Sequence, residues 1–431
     1  MNEETVTIAA PLSKELTRRT FIRNVAENLA AVTVGVVTGN IIVEGNERLY
    51  QPLQHLKMDW ESAGAENEQF MEEHKTELQN VRLGCSLSPE QLEWLGIHDS
   101  PEQVLNYLQE LGINEVRLGL RWNHSVNEKG EVDLSYYAPW IEQSLKRGMD
   151  LCLNVGPIKV FRWPEDHVPK SVLKRLEQQG RLPKKGGLIG QDDPMADEAL
   201  GYLNALLPEL KKLTGDHAVT IQPENEAHVP FGEHEWVASH EYFFKVCKTI
   251  KDHFPDSPLL LNSPAVKQSK SPLPHKSTLE QTAIAAQAIV AARSDWEVIT
   301  GVDVYPDTPQ SAKISILNDL RVDTQMAVTS SRGVDVLPKY VADMNASGVG
   351  MEITELQVEP WGDRTKPGND AQSLRFAVLR SLPFVDPSRP TTMRLWGIEH
   401  LYAQRTRGVE TGEHKKIVEL VQLINSQDKQ P

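Results

Sequence analysis

From Val81 onward, short apolar runs rich in β-branched residues alternate with longer stretches in which apolar positions recur every three or four residues. The first pattern is that of strands buried on both faces, and the second that of amphipathic helices packed on a sheet. Strands are expected at 81–85, 115–119, 150–155, 218–224, 258–262, 298–304, 349–355 and 391–396. Helices are expected around 101–111, 136–148, 196–213, 235–253, 276–292, 335–346, 369–380 and 413–425. Such alternation implies parallel pairing, because parallel neighbours need a long crossover that a helix supplies. Eight units in about 350 residues predict a closed (β/α)8 TIM barrel, α/β in class, with an N-terminal extension. An open doubly wound sheet would need a Gly-x-Gly-x-x-Gly turn, and neither that nor a phosphate-loop motif occurs.

The extension, residues 1–80, lacks this alternation. Residues 17–23, Thr-Arg-Arg-Thr-Phe-Ile-Arg, resemble the twin-arginine export motif, and a mildly apolar stretch, 29–43, follows. Basic then apolar is the order of a targeting segment. Residues 1–44 are therefore read as a twin-arginine signal or anchor, 45–80 as a linker or solvated helix, and 81–431 as the barrel domain. This places the protein outside the cytoplasm, secreted or anchored, with membrane contact only through that segment. Glu27, Asn28, Gly35, Gly39 and Asn40 weaken the apolar run, which falls short of the ~20 residues of a clean span. The alternative is a basic amphipathic helix on a cytoplasmic protein.

Composition narrows the partners. With 45 Lys+Arg against 60 Asp+Glu the net charge is −15, which repels nucleic acid and other polyanions. The three cysteines, Cys85, Cys152 and Cys247, have neither paired nor metal-ligand spacing and read as small buried hydrophobes. His228 and His234 form no zinc motif and read as a solvated helix start. No metal or other cofactor is expected.

Barrel enzymes carry their reactive side chains at the C-terminal ends of the strands, and the segments after the third and seventh strands are unusually long. The fourth strand ends in Glu224-Asn225-Glu226 and the seventh in Thr354-Glu355. Alternation puts Val349, Met351, Ile353 and Glu355 on one inward face, with Glu352 on the other, paired with a helix cation. Two glutamates at two strand tips suit cleavage of a glycosidic bond, one protonating the departing oxygen and the other attacking or directing water at the sugar carbon. Glu224 and Glu226 share parity; Glu226 is nearer the mouth, leaving Glu224 as a hydrogen-bonded support.

With Trp396 ending the eighth strand, these residues resemble the catalytic layout of the clan A retaining glycoside hydrolases, the superfamily of cellulases and xylanases. Ser86-Leu87-Ser88-Pro89-Glu90, Arg162-Trp163-Pro164-Glu165 and the run Glu355 to Trp361 are similar to a group of uncharacterised bacterial cellulase-like members. The resemblance covers residues 81–405. It implies Glu226 as acid/base, Glu355 as nucleophile, Asn225 on the sugar 2-hydroxyl, Arg117 holding the nucleophile ionised, and Tyr305 as an aromatic hydroxyl beside it. Ala227 stands where many members have proline. An Arg and a Tyr hydroxyl near Glu355 are expected to lower its pKa, while the proximity of the two carboxylates raises that of Glu226.

Trp396, Trp361, Trp163 and Trp122 follow strand ends, where an indole stacks on a sugar or packs in the core. Arg162, Glu165, His167, Glu359 and Glu399 either read sugar hydroxyls or form surface salt bridges. The expected substrate is an oligo- or polysaccharide, cleaved with retention. A non-catalytic carbohydrate-binding or cell-surface barrel, and a transglycosidase using the same two carboxylates, are the alternatives.

Overall fold

The computed structural model describes residues 62–162, 167–264, 272–273, 278–304, 337–357, 371–385 and 390–426. Eight strands are β1 (Val81–Leu87), β2 (Glu115–Gly119), β3 (Asp150–Asn154), β4 (Val219–Gln222), β5 (Leu259–Pro264), β6 (Val298–Val304), β7 (Gly350–Gln357) and β8 (Thr391–Trp396). They close into a barrel in which sequence neighbours pair in parallel and β8 returns to β1. The expected (β/α)8 architecture is present.

The strands present two faces to two cores. Leu83, Val116, Leu153, Ile221, Leu261, Val302, Ile353 and Leu395 belong to the apolar layer shared with the surrounding helices. Inside the barrel, Cys152, Leu260 and Ile299 form a small separate apolar cluster. Polar and charged side chains fill the interior on either side of it. Below it, Arg394 of β8 donates to Glu352 of β7 at 2.7 Å and to Glu115 of β2. Because β1 lies between β8 and β2, that contact crosses the barrel interior. The three cysteines are buried and unpaired, as expected of small apolar fillers.

The helices start where local chemistry satisfies their free amides. Pro101–Glu110 opens with a capping box between Ser100 and Gln103. Pro194–Thr214 opens on Asp193, whose side chain accepts from the Met195 amide, with proline in the first turn. The helix expected from 235 starts later, as His240–His253, capped by Ser239. Its first residues are extended instead, because Val237–Ala238 pairs in parallel with Leu188–Ile189 of the long β3 loop. Among the described residues after β1, the helices Pro89–Trp94, Lys170–Gln178 and Ile398–Thr406 lie outside the eightfold count. The first carries a visible signal, Ser88 as cap and Pro89 in the first turn.

Packing extends N-terminal to Val81. In the helix Asn67–Glu73, Phe70 is fully buried. Arg375 donates to the Ala63 carbonyl and to Asn67, and Asn67 donates to the Lys416 carbonyl at 2.9 Å. The twin-arginine motif and the rest of 1–61 lie outside the described residues. Among the described residues no helix is long and apolar enough to cross a membrane.

Candidate active site

Above the apolar cluster, Arg117 of β2 reaches into the barrel interior and is fully buried. Its Nε donates to Gln222 Oε1 at 2.7 Å, one terminal nitrogen to Asn225 Oδ1 at 2.7 Å, and the other to Glu355 Oε1 at 2.8 Å and Ser86 Oγ at 3.0 Å. One planar guanidinium thus ties β1, β2 and β7 to the end of β4, a geometry its fixed fork allows and a lysine does not. The Phe161 ring covers its face, with the guanidinium carbon 4.2 Å from the ring centre.

Glu355 reaches this position by a break in alternation. Along β6 and β7 the register runs Val302 with Ile353 and then Asp303 with Glu355, skipping Thr354. Along β7 and β8 it runs Met393 with Ile353 and then Leu395 with Leu356. The inward row of β7 therefore contains Glu352, held by Arg394, while Met351 and Ile353 belong to the helix-facing core. This corrects the regular alternation expected for the strand, as well as the helix cation expected for Glu352. The bulge turns Glu355 inward. It also exposes the Thr354 carbonyl to Ser86 Oγ and Arg117 Nη1, each at 3.4 Å.

Glu226 lies beyond β4 with a backbone φ of +45°, in the left-handed region, a conformation that costs a non-glycine residue ~1–3 kcal/mol. Polar contacts hold it there. Its amide donates to Asn262 Oδ1 at 2.9 Å, and its carbonyl accepts from the buried Lys159 Nζ at 3.3 Å; that ammonium also donates to the Val229 carbonyl at 2.8 Å. Asn262 Nδ2 donates to Asn225 Oδ1 at 3.0 Å and to Asp303 Oδ2 at 3.1 Å. With Arg117 and Asn262 both donating to Asn225 Oδ1, the amide orientation is settled and Nδ2 is its donor end.

Glu224 supports the loop after β3. Its carboxylate accepts from the amides of Lys159 at 2.7 Å and Ile158 at 3.3 Å and from the Tyr242 hydroxyl at 2.8 Å. Gly156 is required beneath it, since a Cβ there would sit 2.1 Å from the Lys159 carbonyl oxygen. Burial pushes Glu224 up to about 8, against the pull of those hydrogen bonds.

Oxygens of Glu226, Asp303 and Glu355 lie within 4.8 Å of one another. Among the described residues this is the group of acidic side chains compact enough to share a cation, and the Arg117 guanidinium supplies the positive charge. Burial raises the proton affinity of all three carboxyls; the Glu355 charge adds to it at Glu226, that of Asp303 at Glu355, and that of Glu226 at Asp303. Arg117 opposes the rise at Glu355 without cancelling it. The downward shift expected for Glu355 is therefore reversed, because the interior excludes water and a third carboxyl is present.

Of the residues singled out in the sequence, Arg117, Asn225, Glu226 and Glu355 converge. Trp396 lies 8% exposed at the end of β8, with the Arg162 guanidinium 4.2 Å from its ring centre and Phe161 edge-on at 5.8 Å. Arg162 and Glu399 are not a surface pair: they are buried, 2.5 Å apart, with Glu399 accepting from the Ser88 amide at 2.6 Å. Trp122 stacks on Tyr202 in the core. His228 is buried rather than solvated, 2.9 Å from the Ala238 carbonyl, and burial holds it neutral with a pKa pulled down to about 3. His167 is buried as well, and its pKa falls to about 2. Tyr305, Trp163, Trp361, Glu165 and Glu359 lie outside the described residues.

Sequence reading missed Asp303, Asn262, Gln222 and Lys159. Asp303 and Asn262 carried a usable signal, a polar residue ending an inward row at a strand tip. Lys159 carried none, since only the fold brings its ammonium under Glu226.

The fold and site together define a (β/α)8 barrel protein with a buried carboxyl cluster at the C-terminal mouth. No family profile matches the sequence, and no curated protein matches it. Among solved structures it is similar to the exo-β-1,4-mannosidase Op5Man5 from Opitutaceae bacterium strain TAV5, with a TM-score of 0.48 and 16% identity over 81% of this chain and 60% of that one. It is similar to the intracellular xylanase TsXylA of Thermoanaerobacterium saccharolyticum, with a TM-score of 0.46 and 11% identity over 74% and 86%. It is also similar to a GH5-4 broad specificity endoglucanase from Clostridium longisporum, with a TM-score of 0.45 and 12% identity over 81% and 97%. These neighbours are glycoside hydrolases; at such values the likeness carries no residue correspondence.

Proposed function

We propose that the protein is a retaining β-glycoside hydrolase acting through Glu226 and Glu355. The observation that carries this reading is the approach of the two carboxyls within 4.8 Å, with Arg117 bonded to one of them. Retaining enzymes hold their pair ~5–5.5 Å apart, whereas inverting ones leave ~6.5–9.5 Å for a water.

In the first step Glu226 gives its proton to the glycosidic oxygen as that bond breaks, and a Glu355 oxygen bonds to the anomeric carbon. Arg117 keeps Glu355 the anionic member, because it bonds to this carboxylate directly and to neither of the other two. Glycosylation removes the Glu355 charge, so the proton affinity of Glu226 falls, and Glu226 then takes a proton from the water that releases the sugar. Asn225 Nδ2 is placed to hold a sugar hydroxyl, and Trp396 offers an apolar wall to the ring. An acidic protein favours neutral glycans over uronate polymers. A scaffold or binding barrel has no reason to hold Glu226 in a strained backbone conformation beside two other buried carboxyls. Transfer to a sugar acceptor instead of water uses the same pair.

The test is incubation of the protein with activated aryl β-glycosides and 2-fluoro-glycoside inactivators, followed by intact-mass spectrometry. A sugar-sized mass gain on the wild type, absent from Glu355→Gln, is expected. Aryl release by Glu355→Gln at the wild-type rate would remove Glu355 as nucleophile. Export through residues 17–23 is a separate proposal, checked by fractionating cells that express the full chain with Arg18 and Arg19 changed to Lys; an unchanged distribution would sink it.

A further inference from the structure

Asp303 has no role in that scheme, yet it stands between its two principal groups. It ends the inward row of β6, is 3% exposed, and pairs across the bulge with Glu355. Thr354 Oγ1 donates to its Oδ1 at 2.5 Å and Asn262 Nδ2 to its Oδ2 at 3.1 Å, and one carboxyl oxygen each of Asp303, Glu226 and Glu355 lie within 4.8 Å of one another. Two carboxyls this close can share a hydrogen bond only if one of them carries a proton.

The charges around it decide which. Glu226 faces Asp303 from beyond β4, Glu355 from β7 and Arg117 from β2. Tyr340, on the helix Leu337–Ala346, lies near enough to sense the Asp303 charge, and Lys159 acts on Glu226. Arg117, the one cation in direct contact with the trio among these, is bonded to Glu355. Three carboxyls packed this closely cannot all be ionised, so the proton burden falls on the two that lack a bonded cation.

We propose that Asp303 remains a neutral acid at neutral pH and donates its hydrogen bond to Glu226, setting the proton affinity of the acid/base as a positioning residue. The inference rests on the reading of Glu226 as acid/base. When Glu226 gives its proton to the leaving oxygen, Asp303 keeps its own and hydrogen-bonds to the new carboxylate. That contact stabilises the anion until Glu226 takes a proton from water, and the Asp303 proton stays on Asp303 throughout. Burial raises Asp303 well above the ordinary carboxylate range, in keeping with this assignment.

The proposal is tested on the full chain by two measurements. In protein labelled with 13C at the aspartate carboxyl, the Asp303 resonance, identified by its loss in Asp303→Asn, is expected to keep the protonated shift through pH 7. A resonance that moves to the carboxylate position below about pH 6 overturns the proposal. This readout needs no turnover, so it stands apart from failure of the glycosidase reading, which the absence of a 2-fluoro-glycoside adduct reports. In the pH profile of kcat/KM, Asp303→Asn, still neutral and still a donor, is expected to leave the basic limb within about 0.3 unit. Asp303→Ala, which lacks the donor, is expected to move that limb upward and lower kcat about tenfold with KM little changed. A basic limb about one unit lower in Asp303→Asn would show that a negative charge had been removed, and would overturn the proposal.

Discussion

Arg117 shows how one side chain makes a site out of separate strands. Its three nitrogens donate to Gln222, Asn225, Glu355 and Ser86, and the side chain is fully buried. Arg117→Met takes from Glu355 its bonded cation and from Asn225 one of its donors; removing one partner of a buried pair costs ~3–5 kcal/mol, read as a shift in the urea midpoint. Arg117→Lys keeps the charge without the fork, and a loss of kcat/KM of about 100-fold or more is expected with a smaller loss of stability. Away from the reacting pair, Glu224 adds to the pH dependence of stability. Glu224 is raised in the fold to about 8, so the folded chain holds a proton that the unfolded chain releases at ordinary carboxylate pH. Its contribution is full below that range and is lost as pH rises through about 8. Glu224→Gln is therefore expected to flatten the fall of the thermal midpoint between pH 5 and 8; an unchanged slope would refute the assignment.

At the scale of elements, the bulge in β7 is the feature on which the site turns. It places Thr354 and Glu355 both against the interior, and β6 makes room with Gly301, where a Cβ would lie 2.4 Å from Thr354 Cγ2 and 2.6 Å from its Oγ1. Gly301→Ala pushes Thr354 away from Asp303. Overpacking of this kind costs ~1–3 kcal/mol, and a larger loss in kcat than in stability is expected, because Thr354 and Asp303 adjoin both carboxyls. Parallel thermal melts and kinetics check this. The loop after β3 is tied down in the same manner, by Glu224 from one side and by the short pairing of Leu188–Ile189 with Val237–Ala238 from the other. Strand limits were legible from apolar runs; 115–119, 298–304 and 391–396 coincide with β2, β6 and β8. The bulge was not legible, since a period of two allows either Glu355 or Glu352 and Thr354 to face inward, and only the register shift brings all three there.

For the molecule as a whole, the barrel body begins before its first strand. The helix Asn67–Glu73 buries Phe70 and supplies Asn67 to Arg375, Lys416 and Glu419. A chain starting at 81 takes the Ala63 carbonyl and the Asn67 side chain away from the buried Arg375 and removes Phe70 from the core, and its stability in urea is expected to fall by ~2 kcal/mol or more relative to a chain starting at 62. Equal midpoints would show that this packing contributes nothing. The linker expected over 45–80 thus includes a packed segment from Ser62. Its heavy glutamate content concealed the apolar face formed by Ala63, Phe70 and Met71.

By itself the sequence determined the eightfold alternation, the parallel barrel it entails, and the candidacy of Glu226, Glu355, Asn225 and Arg117. The alternation, the barrel and the two glutamates follow from local periodicity and from place at a strand tip, whereas Asn225 and Arg117 became candidates through the resemblance to the clan A glycoside hydrolases. The tertiary structure alone decided that Glu355 faces inward through a bulge, that Arg394 rather than a helix cation holds Glu352, and that Asp303 joins the pair as a third carboxyl. These outcomes depend on which strands become neighbours and how their registers offset, and on contacts such as that between Asp303 and Glu226, 77 residues apart in the chain. The proton affinities belong to the same category, because the water-free interior that raises them exists only once the barrel has closed.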